Sequence, residues 1–308
     1  MIVDRDPRSS ISGYALTVLD VLRCSRRYDY QVLNFPLTFR SPQEQILAFL
    51  NNLDTDAIIY SWYPGDDQWL YDDVMLKVRK PQFVLGGHHH IPEFTVPCHQ
   101  WSAWYDTPAT DRVTPLTRPV MHWPDIQYHE PRGMIKIGSF GLGLANKNFA
   151  GMIDRVNRDF QDNEVELNLH MSYTPRTFKE TNEQAQICRQ AVAPNVKLNL
   201  TFNYLPTSRD VARFLNGNDL NIFMYDDQPH LQVTSSALDH ALSARKPIAL
   251  KRSSLFSHMD EVEGIWVETS TLPEIMARGI EPLEPVYQHH SPEQLLACVE
   301  PYLDRYII

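Results

Sequence analysis

The sequence predicts an α/β protein built from two consecutive domains, each containing a parallel β-sheet. Short apolar runs that suit strands alternate with amphipathic segments that suit helices along nearly the whole chain, and this alternation is typical of βαβ units. The alternation breaks once, between residues 107 and 132, where five prolines interrupt any regular period. At 308 residues the chain is long enough for two domains.

The first half of the chain alternates between strands and helices. Apolar runs such as residues 57–60 and 83–85 have the length of buried strands. The predicted strands are residues 1–4, 30–35, 56–62, 82–87 and 101–106. The predicted helices span about residues 13–26, 43–53 and 67–79. We therefore predict a first domain at residues 1–131, with the proline-rich linker at 107–132.

The alternation restarts in a second domain, residues 132–308. Phe149, Met152, Ile153 and Val156 recur at helical spacing on one face, and Thr207 with Asp210 forms an acidic helix-capping pattern. The predicted strands are residues 134–139, 165–171, 197–202, 220–225, 247–251 and 264–268. The predicted helices are the one that contains Phe149, those at about 178–191 and 235–244, the one after Thr207, and a last one at 291–307.

Composition excludes several classes of protein. The formal net charge of −10 argues against a broad nucleic-acid-binding surface. No apolar run reaches the length of a membrane span, and the first residues lack the apolar core of a signal peptide. The four cysteines have neither metal-site nor disulfide-framework spacing. We therefore expect a cytoplasmic protein with reduced thiols and no integral membrane segment.

The stretch GSFGLGLANKNF, residues 138–149, is the first candidate site. Gly138, Gly141 and Gly143 follow an apolar strand, and Lys147 stands where the next helix is expected to begin. Unpaired N–H groups at a helix start, together with an ammonium, form an anion site. The alternative is a tight turn whose glycines only reverse the chain, with Lys147 in solvent.

The ordered set GSFGLGLANKNF, NDLNIFMYDD and SSALDHALSARKPIAL resembles the carboxyl-terminal domain of GT-B fold glycosyltransferases, in particular the retaining, glycogen-synthase-like and cell-envelope group. The resemblance covers residues 133–260, and residues 1–130 only by general architecture. It implies two Rossmann-like domains whose sheets face each other across a cleft. It also implies a nucleotide-diphosphate sugar as donor, most simply a UDP-sugar, with no other cofactor and no metal.

The resemblance also assigns residues to the donor. Gly141 and Gly143 would let the backbone approach the diphosphate, and Lys147 would add a cation. The remaining donor-binding candidates are Tyr225, Ser235, Ser236, Asp239 and His240. The chain departs from the family pattern where its two glutamates are expected, since Gln232 and His240 stand there, and Arg245 replaces the glycine before Lys-Pro.

The first domain offers candidates on the acceptor side. His88, His89 and His90 follow a buried strand, and the resemblance implies that one of them lies near the transferred sugar. A metal site is the less favoured alternative, because consecutive side chains of an extended backbone diverge. Asp66 lies in the aromatic stretch SWYPGDDQW, a composition that suits a sugar acceptor or a buried loop anchor. The catalytic candidates are thus His88, His89 and Asp66.

These expectations describe a hexosyltransferase-like enzyme, with retention of configuration implied by the resemblance alone. Its acceptor would be a saccharide, a lipid-linked glycan or a modified DNA base. The alternatives are a DNA-base-modifying glycosyltransferase of the phage type, an inactive sugar-nucleotide-binding protein, and a sugar-nucleotide epimerase.

Overall fold

The computed structural model describes residues 2–3, 10–34, 43–62, 74–86, 98–102, 109–116, 118–202, 205–228 and 234–307. The described residues form two compact units. The first unit draws on residues 1–119, 231–236 and 289–308, and the second on residues 120–230 and 237–288. Each unit contains one parallel sheet, so the predicted fold class, α/β with two parallel sheets, is confirmed.

Within the described residues, the first unit contains six strands and the second contains five. The strands are β1 (Ile2–Val3), β2 (Leu33–Asn34), β3 (Ile58–Trp62), β4 (Gln82–Gly86), β5 (His99–Ser102), β6 (Val113–Pro115), β7 (Ile135–Leu142), β8 (Val165–Ser172), β9 (Val196–Thr201), β10 (Leu220–Phe223) and β11 (Ile248–Leu250). The helices are α1 (Ser10–Leu22), α2 (Gln43–Asn52), α3 (Phe149–Asp159), α4 (Phe178–Ala191), α5 (Ser208–Asn216), α6 (Ser236–Ser243), α7 (Leu272–Ala277), α8 (Glu284–His289) and α9 (Pro292–Tyr306).

Strand order places a reversal point in each sheet. The first sheet runs β2-β1-β3-β4-β5-β6, and the second runs β11-β10-β7-β8-β9. Every pairing within the two sheets is parallel. In the second sheet the order reverses between β7 and β10. Sheets of this kind bind ligands outside the carboxyl ends of the strands, at the point where the order reverses.

The core of the second unit forms where the apolar period predicts it. The four apolar residues on one face of α3, from Phe149 to Val156, are fully buried. Helix α5 begins with the predicted cap, since the Thr207 side chain accepts from the Asp210 N–H and the Asp210 carboxylate accepts from the Thr207 N–H. Local signals and burial therefore agree in this unit.

The last helix, α9, completes the first unit. Ser25 Oγ donates to Glu300 Oε1 at 2.6 Å, and Arg27 pairs with Asp304 at 2.7 Å. On the sheet, His99 stacks on Tyr302 with ring centroids 4.0 Å apart. Segments more than 270 residues apart in sequence are thus joined in one unit. Burial in this unit lowers the pKa of His99 to about 4.

The structure differs from the sequence predictions at three points. Strand β5 begins at His99 instead of residue 101, and residues 103–106 of the predicted strand lie outside the described residues. The segment predicted as a proline-rich linker contains strand β6. Residues 264–268 form no strand, because Trp266 contributes only an isolated bridge to Leu250. Their burial explains the error, since an apolar run predicts burial more surely than pairing. The predicted helix at 67–79 lies mostly outside the described residues, and its described end is a 3-10 turn at Met75–Lys77.

Arg245, just past α6, has a left-handed backbone with φ of 53°. Its guanidinium lies 3.9 Å from the centre of the Tyr287 ring. The family pattern that the sequence resembles has glycine at this position. Glycine adopts the left-handed conformation without the steric cost that a Cβ atom adds. Arg245→Gly and Arg245→Ala both remove the stacking. We expect the glycine variant to be more stable than the alanine variant by about 1 kcal/mol in urea unfolding. Equal stabilities would contradict this account.

No helix among the described residues combines the length and the apolar character needed to cross a membrane.

Candidate functional site

The candidate site lies in the second unit, at the carboxyl ends of β7, β10 and β11. The segment after β7 contains Lys147 and Asn148, the segment after β10 contains Tyr225 and Asp226, and Lys251 directly follows β11. The site thus occupies the reversal point of the sheet, between β7 and β10.

Two of the three glycines of the stretch 138–149 lie in a strand instead of a loop, which corrects the sequence prediction, and Gly143 lies in the bend after it. Gly138 and Gly141 lie within β7, which continues to Leu142. A side chain at Gly141 would approach the Tyr225 hydroxyl oxygen to 2.9 Å, and one at Gly143 would overlap Thr181 of α4. These two glycines therefore leave room for neighbouring side chains.

Lys147 is half-buried and lies in the 3-10 turn Ala145–Lys147, one residue before the cap of α3. Its Nζ atom sits 3.7 Å from the centre of the Tyr225 ring, a cation–π contact. The lysine ion pairs of the described chain involve Lys179, Lys197 and Lys251, so Lys147 has no carboxylate partner there. Burial without such a partner disfavours the charged form and lowers the pKa of Lys147 to about 8.

Tyr225 is fully buried, and Lys147 packs on the face of its ring. Its hydroxyl donates to the carbonyl of Phe140 in β7 at 3.0 Å. The Phe140 ring in turn contacts the His240 ring edge to face, with centroids 5.9 Å apart. The buried Tyr225 ring thus contacts Lys147, and His240 is connected to this cluster through Phe140.

Asn148 shapes the start of α3. It has a left-handed backbone with φ of 52°, and its Oδ1 accepts from the Gly151 N–H at 3.1 Å. The preceding turn is fixed by the Ala145 N–H, which donates to Glu180 Oε1 at 2.9 Å. Lys147 is thereby held beside the first turn of an 11-residue helix, whose N–H groups and dipole favour an anion.

Asp226 and Lys251 belong to this site and were missed by sequence reasoning. Asp226 Oδ1 accepts from Asn148 Nδ2 at 3.1 Å and from Lys251 Nζ at 2.9 Å. The neighbouring Asp227 accepts from the Ser254 N–H at 2.8 Å, and hydrogen bonding to the Ser254 side chain and backbone lowers the pKa of Asp227. Both aspartates come soon after the buried strand β10, which ends at Phe223, and that position was the available signal.

The remaining candidates lie at the start of α6, on α6 or outside the described residues. Ser235 and Ser236, at the start of α6, group with the first unit. Asp239 is half-buried on α6, next to His240. The three catalytic candidates Asp66, His88 and His89, and also His90, lie outside the described residues. No three His, Cys, Asp or Glu side chains gather in a metal-binding arrangement within the described ranges.

Comparison with known proteins identifies the fold. No profile of a known protein family matches the chain, and no curated protein matches it. Solved structures do match, among them Anabaena HepE in complex with UDP-glucose, with a TM-score of 0.67 and 11% identity over 99% of this chain and 98% of that one. An alpha-glucosyltransferase in complex with UDP-glucose and DNA containing an abasic site has a TM-score of 0.55 and 11% identity over 99% and 98% of the two chains. A Thermobaculum terrenum O-GlcNAc transferase mutant has a TM-score of 0.57 and 13% identity, with coverage of 99% and 66%.

These neighbours are GT-B glycosyltransferases, and the present chain has their fold. The resemblance seen in the sequence is thereby confirmed at the level of the fold, over nearly the whole chain instead of its second half alone.

Proposed function

We propose that the protein is a glycosyltransferase that moves a sugar from a nucleotide-diphosphate sugar to an acceptor. The observation that carries this proposal is the Lys147 ammonium, which is half-buried at the reversal point of the second sheet without a carboxylate partner in the described chain. A cation taken out of water at this point favours an anionic ligand. The fold shared with glycosyltransferases supports a nucleotide diphosphate as that anion.

The site suits stabilisation of a leaving group. When the bond between the anomeric carbon and the diphosphate oxygen breaks, negative charge accumulates on the diphosphate. Lys147, fixed on the Tyr225 ring, and the first turn of α3 would lie next to that charge without having to reorganise. Because this positive charge comes from the protein, the proposal includes a reaction that needs no metal.

The proposed donor is a UDP-sugar, since the neighbouring structures contain UDP or UDP-glucose. Gly141 and Gly143 would keep the carboxyl end of β7 open, while Ser235, Ser236, Asp239 and His240 would bind the remainder of the donor. His88, His89 and Asp66 are proposed to lie at the transferred sugar and the acceptor. Retention of configuration is part of the proposal, and NMR of the product anomer would test it.

The acceptor we favour is a saccharide or a lipid-linked glycan. One neighbour was solved with DNA, which keeps a modified DNA base as the second candidate. The net charge of −10 weighs against it, and DNA transfer would fall steeply with rising salt. All four cysteines are free thiols, which supports the proposed cytoplasmic location.

The experiment is isothermal titration with UDP, GDP, ADP, CMP and dTDP, using the wild type, Lys147→Met and Lys197→Met. Lys197 is a matched control because its ammonium pairs with Glu166 at 3.4 Å near the amino ends of β8 and β9. We expect selective binding of one diphosphate, most simply UDP. Lys147→Met should weaken it at least about tenfold, the order of one buried charged hydrogen bond.

Two results would contradict the proposal: no nucleotide binds, or Lys147→Met binds as well as Lys197→Met. Donor binding without transfer or hydrolysis would instead favour the inactive sugar-nucleotide-binding protein. Conversion of the donor without any acceptor would favour an epimerase.

A further inference from the structure

Asp226 connects three segments at the carboxyl edge of the second sheet. Its backbone N–H donates to the carbonyl of Asn146 at 2.9 Å. Its Oδ1 atom accepts from both Asn148 Nδ2 and Lys251 Nζ. Since both nitrogen atoms bind one oxygen atom, the Lys251 ammonium lies close to the segment that carries Lys147.

The backbone holds Lys251 at this position. It directly follows β11, and its N–H donates to the carbonyl of Phe223 in β10 at 3.0 Å. Its side chain is 33% exposed and that of Asp226 is 51% exposed. The pair is therefore partly open to solvent, and an anion can approach it while Asp226 still binds Lys251.

The negative charges at the site outnumber the single positive charge of Lys147. A nucleotide diphosphate carries more than one negative charge, and Lys147 supplies a single cation. Asp226 and Asp227 add two carboxylates on the same edge, of which Asp227 binds the Ser254 N–H. A second cation facing the ligand would offset these charges in the described part of the site. Lys251 is placed for this role, because its ammonium binds the same Asp226 oxygen atom as Asn148.

We propose that Lys251 is the second cation of the diphosphate site, and that Asp226 holds it in place while competing with the ligand for it. This inference rests on the proposed function. On binding, the diphosphate shares the Lys251 ammonium with Asp226 or takes it over, and no covalent step is involved. Asp226 is therefore a positioning residue whose charge limits the affinity for the donor.

This assignment predicts opposite effects for the two partners. Asp226→Asn keeps an amide oxygen that accepts from Asn148 and Lys251 but removes the competing charge, so binding should tighten about 3- to 10-fold. Lys251→Met should weaken binding about tenfold, whereas Lys251→Arg should keep most of it. A residue that acted only on structure would not produce this change of sign.

The test is isothermal titration of the full chain with inorganic pyrophosphate and with UDP, at several salt concentrations. Glu166→Gln and Lys197→Met are the matched controls, because they remove the same charges from a cross-strand pair near the amino ends of β8 and β9. We expect Lys251→Met, but neither control, to reduce the salt dependence of binding, since one fewer cation contacts the ligand.

Several results would overturn the inference. If Asp226→Asn weakens binding while remaining folded, Asp226 serves structure alone. If Lys251→Met equals Lys197→Met, Lys251 does not contact the diphosphate. Should Asp226→Asn fail to fold, Lys251→Met and Lys251→Arg carry the test. Loss of binding in Lys147→Met but not in Lys251→Met would leave the proposed function standing without this inference. Absence of any binding to the wild type would remove both.

Discussion

Replacing Gly138 by alanine is expected to lower the free energy of unfolding by about 2–4 kcal/mol, the range of an overpacked core with disturbed buried amides. A Cβ atom at Gly138 would overlap the Asn218 side-chain amide and approach Asn221 Oδ1 to 2.9 Å. Asn218 cannot yield, because its amide donates to Asn221 and accepts from Asn168, which in turn accepts from Asn199. These amides form a hydrogen-bonded row at the register of Gly138, across strands β10, β7, β8 and β9.

Urea unfolding followed by tryptophan fluorescence measures the loss. Gly217→Ala is the control, since Gly217 has a helical backbone and its nearest contact, the Phe214 carbonyl oxygen, lies at 3.3 Å. It should change stability by less than about 1 kcal/mol. In the double variant with Asn218→Ala the two losses should not add, because the clash disappears. Additive losses, or a stable Gly138→Ala, would refute this explanation of the glycine.

The second large effect is a pH dependence of donor binding. In the empty protein the pKa of Lys147 is lowered to about 8 by burial, and only the protonated ammonium attracts a diphosphate. Affinity should therefore be constant below pH 8 and fall by up to about tenfold for each pH unit above it. A bound anion raises the pKa again, so binding at pH 8.5 should take up more than about half a proton.

Titration in buffers of different ionisation enthalpy measures this proton uptake directly. Lys147→Met should show neither the uptake nor the fall above pH 8, and Lys197→Met should show both. The same lowered pKa affects stability with a definite sign. The charged Lys147 destabilises the folded state below pH 8, and this effect fades as the pH rises towards 10.5, where the lysine of the unfolded chain loses its proton. Proton uptake by Lys147→Met would assign the effect to another group.

Much of the second unit could be predicted from the sequence. Helix α4 has the predicted bounds, residues 178–191. Strand β7 was predicted to end at residue 139 instead of Leu142, since Gly141 and Gly143 are unusual in strands and predict a turn. Gly138 and Gly141 occur in this strand because Asn218 and Tyr225 need the space, and those neighbours are distant in sequence.

The first unit was harder to predict. Strand β6 includes Pro115, which suits only the edge of a sheet or a strand end, and the prolines around it predict a linker. The last helix was predicted from its own period. No local pattern could show that its Glu300 and Asp304 would bind Ser25 and Arg27 of the first unit.

The candidate site was predicted in part. Lys147 was chosen for its place beside the glycines, and its contact with Tyr225 remained invisible because the two are far apart in sequence. Asp226 and Lys251 carried the same signal, a polar residue at or shortly after the end of a buried strand. They became part of the site only once the order of β7, β10 and β11 was known.

The position of α9 has a consequence for synthesis of the protein in the cell. Its contact with Ser25 spans 275 residues, which a ribosome needs on the order of 15–60 s to translate at about 5–20 residues per second. The second unit is nearly continuous in sequence and can fold within that time. The first unit cannot complete its packing until α9, which belongs to it, has left the ribosome. The part of the chain that is made first is therefore the part that finishes folding last, and the part most in need of a chaperone.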